Sequence, residues 1–296
     1  EWVLKFKNRD NKVKVIFVIK SVITAAGKGT RLLPITKELP KEMMPIFSKI
    51  YNNNLIVIPL LQFIFEQLYG VGIRDYCFVV GREKRSIEDH FTPDKTYLNE
   101  LSKKNNALMS NFYKRLEKSH LIWTNQNKPL GFGDAVKRAE KYIGNDNFIV
   151  HGGDVSIMGG SKHPVLRLIK TAKDDPSIAA VLLCKKIKDP KRYGVPQIKN
   201  TSSSVYLVEK VEEKPTKPKS NLGLLPIYFF KPKIFESLKN IKPDKNNELQ
   251  LTDAIQNLIE RGEKVVAIPI KSNEIEIDIG TAETYKHALE TSYKIA

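Results

Sequence analysis

Short apolar runs alternate with longer amphipathic segments along the first two thirds of the chain. The runs "SVITAA", "DYCFVVG", "HLIWTNQ", "NFIVHGGD" and "SIAAVLLCKK" are typical of parallel strands that are covered on both faces. The segments between them, such as "IPLLQFIFEQLYGVG", "FGDAVKRAEKYIG" and "HPVLRLIKTAKDD", carry apolar residues at helical spacing. This alternation predicts an α/β fold in which helices connect the strands of a parallel sheet.

The pattern changes after Tyr193. Three strand-like segments, "YGVPQIK", "SVYLVEKVEEK" and "LGLLPIYFF", follow one another without helices, and two helices, "LTDAIQNLIERG" and "TAETYKHALETSYK", come later. This predicts a mixed sheet in the second half. No internal repeat or low-complexity linker divides the chain, so we expect one catalytic domain over residues 21–296. Residues 1–20 are an N-terminal extension of open role: an atypical addition, an added edge strand or a product of start-site choice.

Composition limits the class of protein. Among the 296 residues, 41% are hydrophobic and 28% are charged, which is typical of a folded globular protein and excludes disorder of the whole chain. The net charge of +16 favours an anionic partner, but no run of five or more basic residues occurs. Cys77 and Cys184 lie in apolar runs, so we expect buried, reduced thiols and no zinc site. No segment is long enough to span a bilayer, and a cytoplasmic protein without a membrane partner is expected.

Ligands of open parallel sheets bind beyond the carboxyl ends of the strands. Four segments with unusual residues stand at such positions in the predicted sheet. They are "AAGKGTR", "TNQNKPLGFG", "HGGD" and "IDIG". Their convergence predicts a ligand site at that edge of the sheet.

The segment "AAGKGTR", from Ala25 to Arg31, has the chemistry of an anion cradle. Gly27 and Gly29 allow a sharp turn whose backbone N–H groups approach a ligand, and Arg31 adds a forked contact to phosphate oxygens. The segment lacks the Gly-Lys-Ser/Thr ending of a P-loop and the third glycine of the dinucleotide fingerprint. The alternative is a tight turn with a solvated basic loop behind it.

The longer stretch "AAGKGTRLLPITKELPKEMMPI" resembles the signature of sugar-1-phosphate nucleotidylyltransferases. It is most similar to the prokaryotic members that act on UTP and glucose 1-phosphate. The similarity continues through "LGFGDAV", "VEEKP", "SNLGLLPIYFF", "NELQLTDAI" and "IDIGTAETY", over about residues 20–290. The polar segment "YLNELSKKNNALMSNFYKRLEKS" stands where the uridylyltransferases carry a helical insertion. The resemblance implies a Rossmann-like nucleotidyltransferase fold, with a mixed, mainly parallel sheet flanked by helices and an added sugar-binding region.

The resemblance also implies a reaction. A uridylyl group passes from UTP to glucose 1-phosphate in a Mg²⁺-dependent step that gives UDP-glucose and pyrophosphate. Such a transfer depends on positioning and on neutralising charge rather than on a covalent nucleophile. By resemblance, Arg31 and Lys41 are the cations that contact the triphosphate, and Lys214 pairs with the sugar phosphate and orients it for attack. These three residues are the expected catalytic residues.

The remaining site residues fall into three groups by resemblance. Asp154 and Asp278, each just past a strand, are the expected Mg²⁺ ligands, and two carboxylates with substrate phosphates suit that ion. The nucleotide is expected to contact Ala25, Ala26, Gly27, Gly29, Thr30, Glu42, Gln126 and Gly131. In that group a glutamine amide and a backbone group five residues later would read the pyrimidine edge, because an amide both donates and accepts. The sugar is expected to contact Gly194, Glu213, Lys214 and Asn221.

Several alternatives stay open at the level of sequence. The same chemistry could use dTTP or another hexose 1-phosphate, since "DIGTAETY" also resembles the thymidylyltransferase ending. Pro226 and Ile227 stand where the family pattern has Gly and Arg, which affects the sugar pocket or a subunit contact. A catalytically silent nucleotide-sugar sensor and a nucleic-acid-binding protein are alternatives from other classes. The charge alone motivates the second, and no basic cluster with interleaved aromatic residues supports it. A homo-oligomer is possible.

Overall fold

The computed structural model describes residues 3–7, 13–17, 19–51, 54–199 and 204–296. Within the N-terminal extension, β1 (Val3–Lys7) and β2 (Val13–Phe17) pair with each other in antiparallel fashion. Among the described residues these two strands form a separate sheet rather than an added edge of the central one. The domain boundary at residue 20 stays a prediction.

Thirteen further strands follow along the chain, and nine of them build one central sheet. Their bounds are β3 Lys20–Ala25, β4 Pro45–Ser48, β5 Ile56–Pro59, β6 Asp75–Gly81, β7 His120–Gln126, β8 Phe148–Gly152, β9 Val155–Gly159, β10 Ile178–Lys186, β11 Gly194–Lys199, β12 Tyr206–Glu213, β13 Leu222–Phe230, β14 Lys264–Pro269 and β15 Glu274–Asp278.

The central sheet has the strand order β11-β12-β14-β10-β13-β8-β3-β6-β7. The four strands β8, β3, β6 and β7 are parallel, so their carboxyl ends meet at one edge. In the other half β13 is antiparallel to both neighbours, and β12 is antiparallel to β11 and β14. The predicted mixed, mainly parallel sheet is therefore confirmed. Two small antiparallel sheets, β4 with β5 and β9 with β15, lie apart from it.

Ten helices accompany the strands in the described part of the chain. The segment "FGDAVKRAEKYIG", predicted as one helix, divides into two short ones, and the polar insertion is helical as expected. The bounds are α1 Leu60–Gly70, α2 Arg85–His90, α3 Lys95–Glu100, α4 Lys103–Glu117, α5 Phe132–Lys137, α6 Glu140–Ile143, α7 Val165–Asp174, α8 Ile234–Asn240, α9 Leu251–Glu260 and α10 Ala282–Ile295.

Two hydrophobic cores cover the two faces of the central sheet. Successive strand residues point to opposite faces, so Ile23 and Phe78 belong to one core whereas Val22 and Cys77 belong to the other. Helices α1, α4 and α7 pack on the first face, and α5, α8 and α9 pack on the second. The result is a three-layer α/β/α arrangement in which both strand faces are dry, which explains the nearly unbroken apolar runs.

The two cysteines lie inside these cores. Both are free thiols, and burial raises the pKa of each to about 12. The prediction of buried, reduced cysteines is confirmed. None of the described helices has both the length and the apolar composition that crossing a membrane requires.

The helical insertion contributes core residues rather than only surface. Phe112 of α4 is 0% exposed, and its ring packs 6.0 Å from that of Phe65 and 5.6 Å from that of Phe91. On the same helix, Arg115 forms an ion pair with Glu66 of α1, whose carboxylate also accepts a hydrogen bond from Tyr51. The insertion is thus part of the domain's packing.

We expect Phe112→Ala to lower the free energy of unfolding by about 3 to 5 kcal/mol, because it leaves a cavity among aromatic rings. Urea denaturation followed by circular dichroism measures this change. Tyr97→Ala in α3 is the control, because Tyr97 is 46% exposed and its loss should cost less than about 0.5 kcal/mol. Equal stability of the Phe112 variant and the unmodified protein would contradict the assignment of α4 to the core.

Candidate active site

A cleft of about 820 Å³ opens beyond the carboxyl ends of the parallel strands. It lies where the topology rule places ligands, and it gathers most of the residues that the sequence singled out. Those that line it are Ala26, Gly27, Gly29, Thr30, Arg31, Lys41, Glu42, Gln126, Gly131, Asp154, Gly194, Glu213 and Lys214.

The glycine-rich loop leaves β3 and forms one wall. Gly29 has φ +67°, a left-handed conformation that favours glycine, and its carbonyl accepts a hydrogen bond of 2.8 Å from the hydroxyl of Thr36. Gly27 lies beside Lys41, since a Cβ atom on it would be in van der Waals contact with Nζ of that lysine at 3.6 Å. Arg31 is exposed at the end of the loop. The arrangement suits an anion with several phosphate groups.

Lys41 and Asp154 form the central ion pair of the cleft. Nζ of Lys41 lies 2.5 Å from Oδ2 of Asp154, and both side chains are largely buried. Burial by itself would raise the pKa of Asp154, but the charge and hydrogen bond of Lys41 outweigh it and hold that pKa below its ordinary value. Burial likewise acts to lower the pKa of Lys41, and the nearby carboxylates of Asp154 and Glu42 reverse this effect and raise it. Both groups are therefore charged at neutral pH.

Asp278 reaches the same place through the pairing of β9 with β15. In that pairing Asp278 lies opposite Val155, and the N–H of Ile279 donates a hydrogen bond of 2.9 Å to the carbonyl of Asp154. Burial, together with the charges of Asp154 and Glu276, raises the pKa of Asp278 to about 6. Two carboxylates are thus held near each other with only part of their charge balanced.

This pair of carboxylates fits a divalent cation. The described residues contain no group of three or more acidic, histidine or cysteine side chains that could hold a metal by itself. Carboxylate oxygens from only two residues suit Mg²⁺, which keeps several waters and shares phosphate oxygens of a substrate. A cation beside Asp154 and Asp278 would also offset the repulsion between the two carboxylates, which contributes to the raised pKa of Asp278.

Glu42 lies behind Lys41 and has a partner that the sequence did not indicate. Its carboxylate is 3.0 Å from Nζ of Lys84, and the two residues are 1% and 9% exposed. Burial raises the pKa of Glu42, and the charges of Lys84 and Lys41 oppose that rise. Glu42 is one of the residues expected to contact the nucleotide. It lines the cleft, and its carboxylate pairs with the buried Lys84; the contact with the nucleotide stays a prediction.

Gln126 stands at the carboxyl end of β7 with its amide held in one orientation. Its Nε2 donates to the carbonyl of Gly131 at 3.0 Å and to the carboxylate of Asp134 at 2.9 Å. Both partners only accept, so the NH₂ group must face them. The side-chain oxygen of Gln126 has no hydrogen-bond partner among the described residues. It is the part of the amide that remains for a ligand.

Glu213 ends β12 on the opposite side of the cleft, and Lys214 follows it. Their charged groups lie 3.0 Å apart, and Lys214 has φ +41°, an uncommon conformation for a residue with a side chain. Gly194 faces Glu213 across the β11–β12 pairing. Asn221 is exposed and does not line the cleft; its carbonyl accepts a hydrogen bond from the N–H of Ile187.

Two further predicted residues touch the site indirectly. Ala25 is fully buried in the first core, and its backbone ends β3 just before the glycine-rich loop. Asp278 does not line the cleft itself, but the next turn of chain does, at Gly280. A Cβ atom on Gly280 would lie 2.9 Å from a carboxylate oxygen of Asp278 and 3.4 Å from the guanidinium of Arg31. The two side chains therefore flank one glycine.

Comparison with known proteins identifies the family to which this geometry belongs. A family model described as "Nucleotidyl transferase" matches residues 20–294, nearly the whole chain. The chain belongs to the nucleotidyl transferase family. It is therefore an enzyme, and the expectation of a nucleotidyltransferase is confirmed.

Individual nucleotidyl transferases agree with this assignment. The putative UTP–glucose-1-phosphate uridylyltransferase of Methanocaldococcus jannaschii is 33% identical over 262 residues, which cover 87% of this chain and 88% of the relative. The UTP–glucose-1-phosphate uridylyltransferase of Streptococcus pyogenes is 34% identical over 267 residues, covering 88% and 84%. A crystal structure of a UDP-glucose pyrophosphorylase complexed with UDP-glucose matches with a TM-score of 0.80 and 31% identity, over 94% of this chain and 99% of that chain. The resemblance stated from the sequence is confirmed.

The nucleotidyl transferase cleft and its wall also contain residues that were not among the predicted site residues. They come from the loop after β6, from the start of α5, from β13 and from the segment that leads into α9. All but Lys84 carried a signal, because they lie in the motifs "LGFGDAV", "SNLGLLPIYFF" and "NELQLTDAI" that the chain shares with the family pattern. The residues concerned are Lys84 beside the cleft wall and Phe132, Pro226, Tyr228, Glu248, Gln250 and Thr252 along the cleft.

The buried pair of Glu42 and Lys84 makes a stability prediction. Lys84→Met leaves the Glu42 carboxylate buried without its partner, and we expect a loss of about 3 kcal/mol near pH 8 in urea denaturation. Folding raises the pKa of Glu42, so this carboxyl stabilises the protein most at low pH, and that stability is lost as the pH rises. Lys84→Met removes a charge that opposes this rise, so the pKa of Glu42 rises further in the variant. The loss in free energy of unfolding should therefore become smaller toward about pH 5, where the carboxyl is protonated.

The double variant Glu42→Gln with Lys84→Met is the matched control. It removes both charges while nearly keeping the volumes, so it should recover part of the stability and lose the dependence on pH. A deficit of the single variant that is the same at both pH values would disprove the role of a buried charge.

Proposed function

We propose that this nucleotidyl transferase catalyses a Mg²⁺-dependent transfer of a uridylyl group from UTP to glucose 1-phosphate. The products are UDP-glucose and pyrophosphate. The observation that carries the proposal is the position of the Lys41–Asp154 ion pair in one cleft, with Gln126 on one side and Glu213 on the other. The relatives named as UTP–glucose-1-phosphate uridylyltransferases support the choice of substrates.

The fixed amide of Gln126 supports a uracil-type base. Because its NH₂ group is engaged with Gly131 and Asp134, only its oxygen faces a ligand. That oxygen accepts a hydrogen bond from the N3–H of uracil, whereas N3 of cytosine is itself an acceptor and would be repelled. Thymine presents the same N3–H. This contact therefore favours UTP or dTTP over CTP.

The triphosphate would lie along the glycine-rich loop. Backbone N–H groups around Gly27 and Gly29 contact its oxygens, and the cations Arg31 and Lys41 balance its charge. Asp154 and Asp278 would hold Mg²⁺, which, when bound, neutralises part of the charge on the phosphates. In this arrangement the ion pair with Asp154 fixes the direction in which the Lys41 ammonium points.

The sugar 1-phosphate would bind on the other side, at Glu213 and Lys214. Lys214 pairs with its phosphate and directs one phosphate oxygen at the α-phosphorus of UTP. That oxygen forms the new P–O bond while the bond from the α-phosphorus to the bridging oxygen of the β-phosphate breaks. Pyrophosphate leaves with the electron pair, and Arg31 and Lys41 stabilise the charge that develops on it.

The same geometry leaves two alternatives. One is the same chemistry with dTTP or with another hexose 1-phosphate, because the N3–H contact does not separate uracil from thymine. The other is a silent nucleotide-sugar sensor, which would bind the ligands without turnover. A cytoplasmic location and a homo-oligomer stay predictions.

The decisive test is pyrophosphate release with glucose 1-phosphate and Mg²⁺ in the presence of UTP, dTTP, CTP, ATP or GTP. We expect UTP to react at least roughly tenfold faster than CTP. With CTP, N3 of cytosine and the side-chain oxygen of Gln126 are both acceptors, so no hydrogen bond forms between them. Omission of Mg²⁺ should abolish the reaction. Equal rates with CTP and UTP would contradict the role of Gln126, and binding of UTP without turnover would favour the sensor.

Asp154→Asn tests the ion pair and the proposed metal ligand. The change keeps the shape of the side chain but removes its charge, and we expect roughly a thousandfold loss of kcat with an unchanged circular dichroism spectrum. Asp146→Asn is the control, because Asp146 forms an ion pair with Lys20 outside the cleft. Near-normal turnover by the Asp154 variant would exclude it from catalysis.

A further inference from the structure

Thr252 holds a carboxylate on the sugar side of the cleft. It is the second residue of α9 and is 8% exposed, and its hydroxyl donates a hydrogen bond of 2.7 Å to Oε2 of Glu213. The other carboxylate oxygen, Oε1, lies 3.0 Å from Nζ of Lys214. A carboxylate only accepts hydrogen bonds, so the direction of the Thr252 contact is settled. Each oxygen has one partner from the protein and keeps a lone pair for a ligand.

The surrounding backbone leaves room for this contact. Gly194 faces Glu213 across the β11–β12 pairing, and a Cβ atom on it would lie 3.0 Å from the hydroxyl of Thr252 and 3.4 Å from Oε2 of Glu213. A side chain at this position would press on both ends of the hydrogen bond. The glycine is thus explained by the contact beside it, without any unusual backbone angle.

The start of α9 is itself fixed to the base side of the cleft. The N–H of Leu249 donates to the carbonyl of Leu130 at 2.7 Å, and the carbonyl of Leu249 accepts from the N–H of Gly133 at 2.8 Å. These partners flank Gly131, whose carbonyl contacts the Gln126 amide. One short segment therefore connects the predicted base contact with the predicted sugar contact.

We propose that Thr252 is a positioning residue for sugar recognition. It holds Glu213 so that the carboxylate accepts hydrogen bonds from two hydroxyl groups of the hexose in the nucleotide sugar. This inference rests on the proposed function. A free glutamate side chain has three rotatable bonds, and ordering it on binding costs conformational entropy. Thr252 fixes part of that conformation before the sugar arrives.

The test compares the binding of UDP-glucose and of UDP by titration calorimetry. Thr252→Val keeps the shape of the side chain but removes the donor, so we expect UDP-glucose to bind roughly tenfold more weakly while the Kd of UDP is unchanged. Thr252→Ser keeps the hydroxyl and should bind both ligands within about twofold of the unmodified protein. Thr171→Val in α7 makes the same substitution outside the cleft and should change neither Kd.

A double-variant cycle shows whether Thr252 acts through Glu213. In the background of Glu213→Ala the carboxylate is gone, so Thr252→Val should cause no further loss of UDP-glucose affinity. A merely structural role at the start of α9 predicts the opposite. It would weaken UDP as much as UDP-glucose, and it would add its effect to that of the Glu213 variant.

Three results would overturn the proposal: unchanged UDP-glucose binding by the Thr252→Val variant, an equal loss for UDP, or a Ser variant no better than the Val variant. An unmodified protein that binds UDP-glucose no more tightly than UDP would overturn it as well. Failure of the proposed reaction looks different. In that case UDP-glucose binding responds to Thr252 as expected, yet no pyrophosphate is released from UTP and glucose 1-phosphate.

Discussion

The ion pair between Lys41 and Asp154 is the contact on which the rest of the site depends. The two residues are 113 positions apart in the sequence, and both are removed from most of the solvent. A charge in such a place is strongly unfavourable unless an opposite charge is near it. Lys41 keeps Asp154 ionised, and the negative charge of Asp154 in turn contributes to the raised pKa of Asp278. The ionisation of each of these side chains therefore depends on the charge of its neighbour.

Strand pairings outside the parallel half of the sheet bring the remaining groups to this pair. The small sheet of β9 and β15 places Asp278 next to the loop that follows β8. The antiparallel β11–β12 pairing carries Gly194 and Glu213 to the opposite wall. Parallel strands alone would supply only the glycine-rich loop, Gln126 and Asp154. The mixed topology is thus what gives the nucleotidyl transferase cleft a second wall for a second substrate.

The start of α9 gives that second wall a fixed position relative to the first. Leu249 is bonded to the loop around Gly131 through its backbone, and Thr252 is bonded to Glu213 through its side chain. Backbone hydrogen bonds hold this segment irrespective of the side chain at 249, whereas the contact at 252 requires a hydroxyl. In a transfer between two bound substrates such rigidity matters, because the reacting oxygen and phosphorus must be aligned closely.

The sequence by itself determined the layered fold and the candidate residues of the site. Apolar runs such as "DYCFVVG" specify buried parallel strands through local pattern, and the family motifs by themselves indicate Lys41, Asp154 and Glu213 as candidate site residues. Only the tertiary structure decided the partners: Lys84 beneath Glu42, Asp134 beside Gln126 and Thr252 beside Glu213. Sequence patterns report how a residue relates to its near neighbours. Each of these partners is set instead by the distance between atoms of elements far apart in the chain or, for Asp134, across a loop whose turn depends on Gly131 at φ +98°.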